Sequence, residues 1–395
     1  MNRPQTVITY INVAHFIDHY AMLIFAAAVI LMGPAFNLGY AEMLPYATPG
    51  FIAFGAGSLA TGWLGDRWSR RHMMVIFFIG IGLSMVSVGF VQTPLQLGVA
   101  LFAVGLFASI YHPVGTAMIV SYAEQLGREV GINGVWGNLG VALSALVTGI
   151  LAQYLGWRWA FVLPGVLTVA IGIAFMRAVH HEVRTGHKTE QPTARVAKND
   201  MWRVFASLLI AVVASSTTFN AVTVALPKLF AERLTELTTS PALLGVMTAG
   251  VYMFGALTQF NVGKMLDKHS LKHIFLVLAL LPAPLLYGAA VLDNVPLLLA
   301  SIGLVMGMFG IVTVNDAMVG KYTADEWRAR AYAVRYFIGF TAAAAAVGMI
   351  AWLHELGGFA LTLKVFAALC VLIVVSALMF PADRRAASLA AQPAE

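Results

Sequence analysis

Runs of about 18 to 24 apolar residues recur along the whole chain, separated mostly by short polar connectors. Each run is long enough to cross a hydrocarbon core of roughly 30 Å. Lipid offers no partners to unpaired backbone groups, so such runs must be helices. Windows of about 19 residues place spans near 8–31, 43–64, 73–91, 95–119, 130–153, 158–177, 204–227, 241–262, 273–291, 296–319, 331–352 and 358–380. The pattern predicts an all-α membrane protein with twelve transmembrane helices.

One connector stands apart. Residues 178–203 are long and polar, and they divide the spans six by six. This predicts an N-terminal six-helix bundle over 1–177, a cytoplasmic linker over 178–203, a C-terminal bundle over 204–383 and a cytoplasmic tail over 384–395. The linker histidines His180, His181 and His187 have the composition of a metal tract, but a solvated connector accounts for them. Within each half the second short connector carries a similar charged stretch, "GWLGDRWSRR" at 62–71 and "GKMLDKHSLK" at 263–272. Gly62, Asp66, Arg67, Ser69 and Arg71 map onto Gly263, Asp267, Lys268, Ser270 and Lys272 at a constant offset of 201 residues. The two bundles are therefore expected to be pseudo-symmetric. Repeats of this size are a signature of secondary transporters, with the solute site between the halves.

Composition narrows the class further. The chain is 60% hydrophobic and 11% charged, with a mean hydropathy of +0.82, well outside a soluble domain. A net charge of +6 would suit nucleic acid, yet the bases gather in alternate connectors, which is the positive-inside bias. One set holds Arg3, the Arg67/Arg70/Arg71 cluster, Arg128, the long connector, Lys264, Lys268, Lys272, Lys321 and Arg384; the opposite set holds little beyond Arg158, Lys228 and Arg233. Both termini are expected on the cytoplasmic side, with no nucleic-acid partner. "MNRPQTVITY" does not read as a cleavable signal. The single cysteine, Cys370, lies in an apolar run and predicts no disulfide.

On these residues the chain resembles the major facilitator superfamily of transporters. "GWLGDRWSRR" is similar to that superfamily's loop motif, Gly-x-Leu-x-Asp-Arg/Lys-x-Gly-Arg/Lys-Arg/Lys, with Ser69 in place of the second glycine. Gly62, Asp66, Arg67, Arg70 and Arg71, with the weaker copy Asp267 and Lys268, are expected to form a conformational latch. An Asp beside a helix N-terminus gains from the positive dipole end and from nearby arginines. A narrower resemblance is to the fosmidomycin-resistance-like branch, carried by "HFIDH" (15–19), "YHP" (111–113) and "WGNLG" (136–140). His15, His112, Pro113, Gly137, Asn138 and Gly140 match. Asp18 stands where that branch has Asn, and His19 where it has Asp. The glycine-proline element of many antiporters is absent from "GVALSALVTG".

Ionisable groups inside spans cost at least about 2–3 kcal/mol on insertion scales and are functional candidates by default. Helix 1 carries His15, Asp18 and His19, the histidines one turn apart on one face. Asp18 lies ~15 Å into its span at 1.5 Å per residue. Helix 4 carries His112 directly before Pro113, which can kink the helix. The resemblance implies that helices 1, 4, 7 and 10 line a central cavity, which would gather Asp18, His19 and His112. Asn220, at the repeat position of His19, would supply the opposing wall. A carboxylate that must choose between proton and substrate couples two flows, and a neighbouring imidazole titrates near physiological pH. Asp18 is the expected coupling group, with His19 or His112 as partner; a structural Asp–His hydrogen bond is the plainer alternative. Tyr111, Trp136 and Asn138 are candidates for solute contact. Asp316 and Arg335 are expected to form an ion pair at a gate.

The leading expectation is a proton-coupled secondary transporter exporting a small organic molecule or drug. Import of a small organic acid, or transport of a divalent transition metal or its complex on the three imidazoles, stay open. A non-transporting receptor would belong to another class. No phosphate-binding glycine-lysine loop is present, which argues against an ATP-driven pump. The expected protein is no enzyme and has no cofactor. Its partners are the small-molecule substrate, protons and the lipid bilayer, and it is a monomer in a bacterial inner membrane.

Overall fold

A computed structural model describes residues 4–180, 201–323 and 325–381. The expected linker lies largely, and the expected tail wholly, outside the described residues, as does the side chain of Asp267. The described chain is helical with short connections. In order, the long helices are α1 (Pro4–Phe36), α2 (Thr48–Arg67), α3 (Arg70–Val88), α4 (Pro94–Tyr122), α5 (Leu126–Leu155), α6 (Trp157–Ala178), α7 (Met201–Arg233), α8 (Pro241–Lys268), α9 (Leu271–Ala289) and α10 (Asn294–Tyr322). A final continuous stretch, Asp325–Met379, holds two more helices, α11 (325–356) and α12 (359–379), joined where Gly357 and Gly358 leave helical geometry. Gly358 has φ of 61°, a conformation glycine adopts without a Cβ penalty.

Among the described residues, ten helical stretches are long and apolar enough to cross a membrane. The last of them contains the Gly357–Gly358 break and so makes two crossings. α2 completes the expected twelve; Gly50, Gly55, Gly57, Gly62 and Gly65 make it less apolar than its neighbours. The chain is thus an all-α, multi-pass membrane protein. Boundaries differ from expectation at several points. α1 starts four residues earlier and ends five later than 8–31, continuing to Phe36. The span expected from 43 begins instead at Thr48, because Tyr40–Met43 and Leu44–Ala47 form separate short turns around Pro45. α9 is interrupted before Pro282, whose missing N–H cannot continue the ladder.

The glycines of α2 set its packing. A Cβ on Gly50 would lie 2.6 Å from the Leu101 carbonyl oxygen, and one on Gly105 would run into the Gly50 carbonyl, so the α2 and α4 backbones touch. Further along, a Cβ on Gly62 would meet Pro113 at 3.0 Å and one on Gly65 would meet Val114 at 2.8 Å. Close approach of this kind is how helices associate where lipid supplies no hydrophobic drive.

The sequence repeat has a structural counterpart. Arg71 donates to the carbonyls of Met176, at 2.9 Å, and Val179 at the end of α6, and Lys272 donates to Leu378 at 3.3 Å near the end of α12. Each base thus satisfies the open carbonyls of the last helix of its own half.

The two halves meet through α5 and α8, α2 and α11, and α1 and α7. On the face away from the termini, Gln153 of α5 accepts hydrogen bonds from Ser240 Oγ (2.7 Å) and the Ala242 N–H (2.9 Å) at the start of α8. Tyr40 stacks edge-on against His354 and lies 5.9 Å from the Phe359 ring, both from the second half. Toward the terminal face, a Cβ at Gly131, Gly134 or Gly263 would meet nothing within 4 Å. α5 and α8 therefore pack tightly at one end and stand free at the other.

Replacing Gly105 by Ala is expected to destabilise the protein by about 1–3 kcal/mol, the usual range for overpacking. Gly134→Ala is expected to be neutral, or to stabilise by roughly 0.5–1 kcal/mol through helix propensity. Thermal unfolding of the two variants in detergent checks the contrast.

Candidate functional site

The ionisable groups of α1 are aimed by the helical period. Asn12, His15 and His19 fall at i, i+3 and i+7 and form one stripe, while Asp18 is turned by about 100° from His19. The stripe faces α5. His15 Nδ1 lies 2.8 Å from the Asn133 carbonyl oxygen. A carbonyl only accepts, so Nδ1 carries the proton and Nε2 of the neutral ring is left with its lone pair. His19 Nε2 is 3.1 Å from that Nε2.

Asn133 is itself held from both sides. Its amide nitrogen donates to Asn12 Oδ1 at 3.0 Å, and its Oδ1 accepts from the Tyr111 hydroxyl at 3.0 Å. Tyr111 is fully buried and stacks on His15 at 4.7 Å between centroids. Solute contact is therefore a role the structure does not give it; it braces Asn133 and His15 from behind. The glycines of "WGNLG" have equally local reasons. A Cβ on Gly137 would lie 2.6 Å from the His15 ring, and one on Gly140 would strike the Phe16 carbonyl. Both let α5 lie against α1 with an imidazole between them.

α4 brings His112 to the same place. Residues Tyr111–Gly115 form a π-turn around Pro113, a local widening common at functional sites. Pro113 has no N–H to give the Ser109 carbonyl, and Thr61 of α2 fills the vacancy, donating to it at 2.9 Å. The turn leaves the His112 Nε2 3.3 Å from Asp18 Oδ2. Asp18 is 0% exposed and His112 9% exposed. The separation suits an ion pair, yet the angles of a hydrogen bond are not met, and both Asp18 oxygens lack a hydrogen-bond donor. A buried carboxylate left this way is costly to keep.

The second half closes over His112 with aromatic rings. Tyr336 and Phe340 of α11 lie 5.4 and 5.0 Å from the imidazole, and Phe54 of α2 packs on Phe340 at 4.2 Å. One residue before Tyr336, Arg335 pairs with Asp316 of α10 at 2.8 Å and donates to the Val312 carbonyl at 3.3 Å. The structure thus joins His15, Asp18, His19, Tyr111 and His112 in one cluster and puts the Asp316–Arg335 pair on the α10–α11 side of it.

Other candidates lie elsewhere. Asn220 donates to the Ser216 carbonyl on its own helix at 2.8 Å. Asn138 donates across the halves to Gln259 Oε1 of α8. Trp136 is partly exposed on α5. In the α2–α3 connector, Asp66 pairs with Arg70 at 2.9 Å, Arg70 also donates to Ser121 Oγ at 3.1 Å, and Arg67 lies over the Trp63 ring at 4.9 Å. Arg71 caps α6, so its described contacts are scaffold contacts, and Gly62 packs on Pro113. Lys268 is exposed.

Asn12, Asn133, Tyr336 and Phe340 complete the site and were not expected. The spacing of Asn12 from His15 and His19 was a readable signal. The others meet the cluster only through tertiary contact.

The superfamily pattern described as the Major Facilitator Superfamily matches residues 11–235 and 208–394. A puromycin resistance protein of Streptomyces alboniger is 30% identical over 140 residues, which is 34% of this chain and 27% of that protein. The multidrug resistance protein MdtG of Escherichia coli O9:H4 (strain HS) is 26% identical over 152 residues, 38% of this chain and 36% of that protein. These matches thus span about a quarter to a third of the relatives' own length. The fold is similar to a solved bacterial homologue of the human lysosomal transporter Spinster in an inward-facing, occupied conformation. The two align with a TM-score of 0.77 at 13% identity, covering 96% of each chain. The pattern covers both halves and almost the whole chain: it belongs to the Major Facilitator Superfamily.

Proposed function

We propose that the chain is a secondary active transporter that exports a small organic molecule in exchange for protons, by alternating access between its two halves. The observation that carries this reading is Asp18, wholly buried 3.3 Å from His112, whose ring is covered by Tyr336 and Phe340 of the opposite half. A rocking motion that withdraws α11 uncovers the pair, so access to its proton changes with conformation. The relatives named for resistance to puromycin and to multiple drugs support export. The fosmidomycin-resistance-like branch is supported by the convergence of His15, His112 and Gly137 in space. The protein works as a monomer in a bacterial inner membrane, with both termini cytoplasmic, as the distribution of basic residues suggests.

A second reading, import of a small organic acid, is favoured by Arg335. Its guanidinium side chain is 11% exposed and its Nε has no hydrogen-bond partner, so it holds donor capacity beyond Asp316 for a carboxylate. In either direction Asp316 and Arg335 serve as a gate pair. Asp66 and Arg67, with Asp267 and Lys268 in the second half, set the balance between states from the connectors.

One proton moving down a pH gradient of one unit releases about 1.4 kcal/mol, enough for roughly tenfold accumulation of a neutral solute. In proteoliposomes, Asp18→Asn is expected to abolish gradient-driven accumulation while solute exchange across the membrane persists. Undiminished accumulation by Asp18→Asn would remove Asp18 from the coupling step.

Asp66→Asn is expected to shift the population of the two access states without changing solute affinity within a state. Distance measurements between spin labels on α5 and α8 read that ratio. An unchanged ratio together with unchanged transport argues against the latch.

A further inference from the structure

We infer that His15, His19 and His112 form a binding site for a divalent first-row transition-metal ion, with Asp18 as its buried counter-charge. One ring nitrogen from each of the three histidines lies within 4.8 Å of the other two. Imidazoles bound to one tetrahedral zinc at 2.0–2.1 Å stand ~3.3 Å apart. The His15 and His19 Nε2 atoms are already at 3.1 Å, and side-chain rotation brings in the third.

The donor chemistry fits as well as the spacing. His15 gives its Nδ1 proton to the Asn133 carbonyl, which fixes the ring and points the Nε2 lone pair into the cluster. This is the usual outer arrangement of a metal-bound histidine. Tyr111 and Asn12 in turn hold the Asn133 side chain. Asp18, 0% exposed with no hydrogen-bond donor on either oxygen, supplies an unspent negative charge beside three neutral rings. His15 and His19 keep partial exposure, which leaves an entry path. Imidazole donors suit zinc, copper, nickel and iron, and a set with one carboxylate does not suit magnesium or calcium.

Three neutral imidazoles and one carboxylate leave a net charge of +1 around a divalent ion. A small carboxylate chelator arriving with the ion would cancel that charge, so the shared chemistry is the metal, either bare or chelated. Assigning it as the cargo rests on the transport reading above; the site itself does not.

The test is direct binding, measured without flux. Tag-free, full-length protein in detergent is titrated with Co²⁺, whose visible absorption intensifies on entering a low-coordinate nitrogen site. Zn²⁺ is then added to displace it. The expected result is a Co²⁺ band that Zn²⁺ abolishes, with affinity lowered at least tenfold in both His15→Gln and His19→Gln. Tyr111→Phe removes the hydroxyl bracing Asn133, and about a tenfold loss is expected there. Histidines elsewhere are unchanged in every variant and set the background.

Repeating the titration in excess citrate separates the two sources. A band that survives identifies the chelate, and one that citrate removes identifies the bare ion. No band in the wild type, or a band equally strong in folded, monodisperse His15→Gln and His19→Gln proteins, overturns the inference. Loss of gradient-driven transport in Asp18→Asn is a separate readout, so the two readings fail independently.

Discussion

Pro113 cannot donate a hydrogen bond, and much of the central architecture follows from that. The missing N–H leaves the Ser109 carbonyl open inside a membrane, where an unsatisfied backbone group costs several kcal/mol. Thr61 supplies the donor, and it can do so only because α2 lies directly against α4. That proximity in turn requires Gly57, Gly62 and Gly65, which face Ser109, Pro113 and Val114. The widened turn then turns His112 toward Asp18 and toward the rings of α11. A loop-motif glycine, a threonine, a proline and a histidine thus form one causal chain. Gly62, the first glycine of the loop motif, is at this level a space left for a proline.

Much of the fold was legible because bilayer physics leaves few alternatives. Apolar length gave the spans, and the 201-residue offset gave the repeat that Arg71 and Lys272 express in space. Helix ends were less legible, since α1 runs past the apolar core and Pro45 splits the approach to α2. In the site, ionisable residues inside spans were easy to find because their cost makes them conspicuous. Their supports were not. Asn133 reads as an ordinary polar residue until α1 and α5 are laid together, and Tyr336 and Phe340 read as generic aromatics. Asn220, read from its repeat position as the wall opposite His19, donates its amide to its own helix.

The repeat is preserved as scaffold and abandoned as chemistry. By the same 201-residue offset, Asp18 corresponds to Phe219, His15 to Ser216 and His112 to Thr313. In the second half Asn315 donates to Ser215 across α7 and α10 at 2.9 Å, a neutral counterpart to the Asp18–His112 approach between α1 and α4. Phe219 packs on Phe309 at 4.9 Å. One half therefore carries the titratable cluster, and the other presents aromatic surface and the Asp316–Arg335 pair. Two related bundles have become a reactive wall and a covering wall.

Gln153 gives the contact between halves a directional energy. It accepts from Ser240 Oγ and from the Ala242 N–H, the latter one of the unpaired donors at the first turn of α8. Separation of α5 from α8 on that face strips two hydrogen bonds at once, and each is worth about 0.5–1.5 kcal/mol. Toward the terminal face, past the single Asn138–Gln259 bond, Gly131, Gly134 and Gly263 leave the ends of the same helix pair without a contact. A single glutamine at the end of one helix thus works as a thermodynamic ratchet tooth, making one mouth of the molecule stiffer to open than the other before any solute or ion is bound.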